Sequence, residues 1–250
     1  MPIILVFVFI LGTIYGSFLN VLLWRLPEGQ RIDGRSYCRS CRRQLVWFDL
    51  IPILSFIILG SRCRYCHNRI HVRYPIVEMS TGIILALFFA FRQPLLNLET
   101  VMIVFALLIL ASLLFFDLFY LILPDVLALP AIAVFAIYDL AKTANPLSYF
   151  LTALLSAGFF VILYAVSRGK SLGFGDVKLA FLVGLILGWP FGFFAIIGGI
   201  WLAAIVAVFL LILRQAKLKD KIPLGSFLAL STILCIIFYH ELLPLTTFFR

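Results

Sequence analysis

The stretch "KSLGFGDVKLAF", Lys170 to Phe181, sets a carboxylate, Asp176, directly behind a Gly-Phe-Gly bend, with long apolar runs on either side. What that carboxylate does depends on the medium around it. The chain is 64% hydrophobic and 12% charged over 250 residues, with a mean hydropathy of +1.16. Soluble domains carry about 25% charged residues and about half apolar ones. So apolar a chain cannot cover its surface with polar groups, and it reads as an integral membrane protein whose constant partner is the lipid bilayer. The net charge of +9 would point to nucleic acid in a soluble protein. Here it reads as topology-setting charge, and no nucleic-acid partner is expected. The start, "MPIILVFVFILGTIYGSFLNVLLW", has no Lys or Arg before Arg25. It is longer than the apolar region of a signal peptide, about 7–15 residues, so a retained span is expected.

A spanning helix needs about 17–25 mostly apolar residues. That length predicts an all-α polytopic protein with about eight transmembrane helices. They fall at Pro2–Trp24, Ile76–Phe91, Leu98–Phe116, Val126–Ala141, Ser148–Ser167, Val177–Trp189, Phe191–Leu213 and Gly225–Leu242. The sixth is short and the fourth contains Pro130. Between the first two lies the sizeable polar region, Arg25–Pro75. Its middle, "LVWFDLIPILSFIILG", is short and broken by Asp49 and Pro52, which predicts an interfacial helix rather than a span. The chain then divides into a first span (1–24), a cytoplasmic loop domain (25–75) and a seven-helix membrane core (76–250). With the N-terminus outside, all of the 20 Lys and Arg residues except Arg92, Lys142 and Arg250 fall on the inner side. The opposite orientation would translocate nearly all of them, so the N-terminus is expected outside.

The polar loop carries "CRSC" and "CRYC", that is Cys38, Cys41, Cys63 and Cys66 in a C-x2-C-x21-C-x2-C pattern. Two close pairs of thiolates converge well on one tetrahedral ion, and zinc is the usual occupant of a four-cysteine site. Four protein ligands leave no position for water, so the ion would be structural and would fold a loop with little core of its own. Two rivals stand beside it. Two disulfides are one, opposed by the reducing cytoplasm in which the loop is expected. The other is haem attachment, since "CRYCH" matches C-x-x-C-H with His67 as axial ligand. Attachment takes place on the outer side, and it leaves the second pair unexplained. Cys235, alone in the last span, reads as a small buried apolar residue.

Acidic residues within spans are costly and mark function. They are Glu78, Asp117, Asp125, Asp139 and Asp176. Asp139 lies near the outer end of its span, close to Lys142, and reads as structural or solvated. Asp117 closes the third span, which runs outside to inside, and Asp176 opens the sixth, which runs the other way. Both are thus expected at the cytoplasmic boundary. Two carboxylates facing each other in a low-dielectric site do not both ionise, so one holds a proton while the other acts as base. Such a pair activates water against a peptide carbonyl. Gly173 and Gly175 would let backbone approach a substrate strand closely. The plain alternative is that each aspartate only caps a helix at the interface. A zinc-stabilised transporter or assembly subunit whose acids carry protons is a second reading. A thiol-based membrane oxidoreductase is a third.

At these residues the chain resembles the type IV prepilin peptidases, membrane aspartic proteases of the G-x-G-D class. The resemblance runs in order through "GSFLNVLLWRLP", the paired cysteines, "RCRYCHNRIHVRYPIVE", "FDLFYLILPD" and "GFGDVK". It implies that Asp117 and Asp176 are the catalytic pair. Asp125, Glu78 and Lys178 match family positions and would support them. It implies residence in the bacterial inner membrane and cleavage of the basic leader of prepilins and pseudopilins after a glycine, on the cytoplasmic side. Those substrates would come from a pilus, secretion or competence system. In forms carrying the cysteine loop it further implies N-methylation of the new N-terminus with S-adenosylmethionine, for which no binding residues are identified. "FAIIGGIW" in the seventh span reads as a helix-packing site, not a nucleotide loop. One departure is that "LFYLIL", between Asp117 and Pro124, is wholly apolar where the family carries basic or polar residues, so this stretch is expected to lie deeper in the membrane and substrate preference to differ.

Overall fold

Backbone that meets lipid must satisfy its own N–H and C=O groups, which leaves a chain of this composition the α-helix. The computed structural model describes residues 2–142, 145–169, 172–215, 217 and 221–246, with backbone alone at 142, 245 and 246. Of the residues named above, Lys170, Arg250 and the side chain of Lys142 lie outside the described residues. Regular structure among the described residues is helical: α1 Pro2–Arg25, α2 Leu54–Ile58, α3 Arg73–Arg92, α4 Leu98–Tyr120, α5 Asp125–Lys142, α6 Pro146–Ser167, α7 Phe174–Leu187, α8 Phe191–Ile212, α9 Leu224–Ile237 and α10 Tyr239–Thr246.

Five of these, α1, α3, α4, α6 and α8, are long and apolar enough to cross a membrane. The other expected spans fall short for identifiable reasons. Helices α7 and α9 have 14 residues each. At about 1.5 Å rise per residue they reach only about 21 Å, against a hydrocarbon core of about 30 Å. Helix α5 has 18 residues but carries Asp125, Asp139 and Lys142. The expected span Gly225–Leu242 is not one helix: α9 ends at Ile237, Phe238 leaves helical geometry, and α10 starts at Tyr239. The segment "LVWFDLIPILSFIILG" forms a 3-10 turn, Trp47–Leu50, and the five-residue α2, separated by Ile53 at φ 62°. Neither piece is long enough to cross, and Trp47, Ile57 and Ile58 are exposed, as an interfacial segment requires.

The chain forms two compact units, Met1–Leu95 and Leu96–Arg250. In the first, α1 packs on α3 at a distance set by small residues. A Cβ added at Gly12 would fall 2.7 Å from Gly82 Cα, and one at Gly16 would strike Thr81 Oγ1. This small-xxx-small face lets two backbones touch where lipid gives no hydrophobic drive. In the second unit α7 packs against α5, α6, α8 and α9, and α4 packs on α9. Helix α7 buries Val177, Leu179, Ala180, Leu182, Val183 and Leu185, nearly its whole circumference. A helix apolar all round and covered by its neighbours need not match the bilayer thickness itself. Gly199 lies against Leu228 of α9, where a Cβ would come within 2.8 Å of its Cα, so "FAIIGGIW" is a packing site as expected.

Gly12→Leu should destabilise the N-terminal unit by about 1–3 kcal/mol or more, because the neighbour is backbone and cannot yield. Ile3→Leu, at a site 83% exposed on the same helix, should be neutral. Unfolding of the purified protein by SDS in mixed micelles measures the difference.

Candidate active site and metal centre

Asp117 lies in the last turn of α4, which ends when Leu121 turns left-handed (φ 55°). The residue is 6% exposed. Oδ2 accepts two hydrogen bonds from one residue of α9, the Ser226 N–H at 2.6 Å and the Ser226 hydroxyl at 3.0 Å. The first N–H groups of a helix have no partner within it, so the start of α9 offers a natural seat for an anion. Gly225 makes the approach possible, since a Cβ there would sit 3.1 Å from Asp117 Oδ2.

Asp176 occupies the first turn of α7 and is 8% exposed. Its Oδ2 accepts the Gly173 N–H at 3.1 Å, half of a capping box. Leu123 links the two surroundings. It lies under Gly175, where a Cβ would meet Leu123 Cβ at 2.9 Å, and against Gly225 at 3.1 Å. The structure therefore brings both aspartates, Gly173 and Gly175 to neighbouring helix ends of the C-terminal unit. It joins Asp125 to Lys178 as well, in an ion pair of 2.6 Å between α5 and α7. Glu78 belongs to the N-terminal unit, where its Oε2 accepts the Ile53 N–H at 2.8 Å. Asp139, expected to be structural or solvated at its helix end, is 2% exposed. That burial sets the solvated half of the expectation aside. Gly225 and Ser226 belong to none of the motifs above. Their signal was "PLGS", a proline, glycine and serine at the mouth of an apolar run.

The four loop cysteines converge, with all Sγ atoms within 4.8 Å of one another. Cys38 and Cys66, one from each pair, stand 3.8 Å apart, and all five cysteines are free thiols. A tetrahedral ion with metal–sulfur bonds of about 2.3 Å places its ligands about 3.8 Å apart. The cluster could thus hold a metal ion with little adjustment. Its backbone is one motif used twice. The N–H of Cys38 bonds Arg43 O and the N–H of Cys63 bonds Asn68 O, both at 2.9 Å. Arg42 and His67, the fourth residue after each leading cysteine, both take positive φ, 60° and 56°. Each knuckle closes with a bridge, Tyr37 to Gln44 and Arg62 to Arg69. Asn68 Nδ2 donates to Ser40 Oγ at 2.6 Å and ties one to the other. A hydrogen bond with the Asn68 backbone pulls the Cys66 thiol down, but desolvation and the thiols of Cys63, Cys41 and Cys38 outweigh it and push it up to about 11. A cation among them reverses that balance by stabilising thiolates. The loop is anchored by Arg25, 5% exposed, whose guanidinium donates to the carbonyls of Ile32 at 2.6 Å, Asp33 at 2.5 Å and Arg35 at 3.1 Å.

Comparison with known proteins follows the same division. The model of the bacterial peptidase A24 N-terminal domain matches residues 10–92. That of the type IV leader peptidase family matches residues 102–208. The prepilin leader peptidase/N-methyltransferase of Klebsiella pneumoniae is 32% identical over 73% of this chain and 85% of its own length. That of Bacillus subtilis is 32% identical, over 88% and 91% respectively. That of Myxococcus xanthus is 36% identical over 75% of this chain, which spans 57% of it. No solved structure matches. The chain belongs to the type IV leader peptidase family.

The protein purified without chelator should carry one tightly held metal ion per chain, and Cys38→Ser or Cys66→Ser should each release it. Elemental analysis reads this directly, with Cys235→Ser, outside the cluster, retaining the ion.

Proposed function

We propose that this chain is an inner-membrane aspartic endopeptidase that cuts the basic leader from prepilins and pseudopilins after a glycine, on the cytoplasmic side, and that it also N-methylates the new terminus. The observation that carries the peptidase reading is the pair itself: Asp117 and Asp176, both buried and seated at helix ends around Leu123. The names of the relatives support the substrate class and the second activity.

The chemistry follows from the seating. Both bonds from Ser226 fall on Oδ2 of Asp117. That orients the carboxylate and leaves Oδ1 to take a proton from water. With Asp117 ionised and Asp176 protonated, the water oxygen attacks the peptide carbonyl, one of its protons passes to Asp117, and the Asp176 hydroxyl polarises the carbonyl oxygen. Collapse breaks the C–N bond, and the leaving amine takes the proton. One water is added across one bond, and the pair returns to one proton.

The charge distribution supports the orientation. With the N-terminus outside, the basic residues apart from Arg92, Lys142 and Arg250 lie inside, as do the cysteine loop and both aspartates. In this reading eight helices cross the bilayer, α1 and α3 to α9, the short α7 and α9 under cover of their neighbours. Zinc would be held by Cys38, Cys41, Cys63 and Cys66 and would fold the loop, taking no part in cleavage. S-Adenosylmethionine, when bound, supplies the electrophilic methyl group.

Cleavage of a tagged prepilin in membranes tests the peptidase. Asp117→Asn and Asp176→Asn, each checked for expression and detergent stability, should each slow it by about 10²–10⁴ or more. Wild-type cleavage rates in both variants would overturn the assignment and leave the acids as helix caps or proton carriers.

A further inference from the structure

A basic leader has to reach the aspartate pair across a surface that carries its own sign of charge. In the topology proposed above, Arg168, Arg214 and Lys221 lie in the inner loops of the C-terminal unit, and all three are exposed. Like charges brought together on docking cost affinity and slow the encounter, so such a substrate needs a counter-charge near its cleavage point. Glu99, Asp139 and Glu241 lie toward the outer side in that topology, and Asp117 and Asp176 are the pair itself. Among the described residues of the unit, that leaves Asp125 as the inner carboxylate with no part in the cleavage step.

Asp125 stands beside the pair. Leu123, two residues before it, lies under Gly175 and against Gly225, the glycines next to the two acids. Two residues of chain span at most about 7 Å. Lys178, which holds Asp125 at 2.6 Å, is the second residue after Asp176 on α7. One or two residues of extended leader, about 3.3 Å each, cover a comparable distance from the scissile bond. The Asp125 carboxylate is also open to a second cation. Lys178 Nζ donates to Oδ1, and Oδ2 accepts nothing from the described residues. The side chain of Asp125 is 56% exposed, against 22% for Lys178. An ionised carboxylate has room for about four donors on its two oxygens, so one lysine leaves it unsaturated. Lys178 is itself seated over the Phe174 ring, its Nζ 5.3 Å from the centroid. So exposed an ion pair adds little to stability, and fastening α5 to α7 is a small part of what it can do.

We propose that Asp125 is the specificity-determining residue for the leader: its open oxygen pairs with a Lys or Arg side chain one or two residues before the scissile bond, while Lys178 holds the other oxygen. The proposal rests on the peptidase reading above and adds the group that recognises the leader's charge.

The test is the KM of the purified full-length protein for two tagged prepilins, one with its basic leader and one whose leader Lys and Arg residues are replaced by Gln. Wild type should favour the basic leader, its KM lower by about fivefold, the size of one partly exposed charge pair. Asp125→Asn should erase that preference, and Asp125→Glu should restore it. Lys178→Met separates recognition from fastening, because it breaks the same ion pair and leaves the carboxylate charged, so the preference should persist or grow. Detergent stability checks folding, and if Asp125→Asn does not fold, Lys178→Met decides. Loss of the preference in Lys178→Met would assign the effect to the α5–α7 ion pair and overturn the proposal. So would an Asp125→Asn protein that keeps the preference, or a wild type that cuts both leaders with equal KM, and each of these leaves the peptidase reading standing. A wild type that cuts neither leader would overturn both.

Discussion

A carboxylate is stable at the end of a membrane helix only where hydrogen-bond donors reach it, because lipid supplies none. The C-terminal unit meets this demand with helix starts. The opening turn of α9 delivers the Ser226 N–H and hydroxyl to Asp117. The opening turn of α7 carries Asp176 itself, closed back onto the Gly173 N–H. Glycines follow from the same need, since Gly175 and Gly225 stand where any side chain would press on Leu123 or on the Asp117 carboxylate. The shortness of α7 and α9 belongs to the arrangement, because each begins beside the acids.

The N-terminal unit solves a different problem. Its polar loop is too small to bury a core, and small units of this kind are usually stapled by metal or disulfide. Two copies of one knuckle, each with a positive-φ residue four places after its leading cysteine, bring four thiols together. Arg25 then fixes the loop to the end of α1 by satisfying several carbonyls at once.

Much of this was legible in the chain. The apolar runs gave the long helices, because a stretch without polar partners has few other conformations. The cysteine spacing gave the cluster, because thiols at C-x2-C spacing have few other ways to converge. Boundaries were harder. Phe238 breaks the last expected span by a backbone turn that composition does not encode, and α5 carries enough charge to fall outside the apolar criterion. Ser226 lies 109 residues from Asp117 in sequence, and no local pattern links them. The burial of Asp139 likewise arises from packing that no local pattern announces.

The central claim is that Asp117 and Asp176 act as one unit sharing a proton. The pH dependence of kcat/KM for prepilin cleavage by the full-length protein tests it most directly. A shared proton gives a bell, with activity falling at low pH as the base is protonated and at high pH as the acid loses its proton. A profile flat on either side across the range where the protein stays folded would contradict the account.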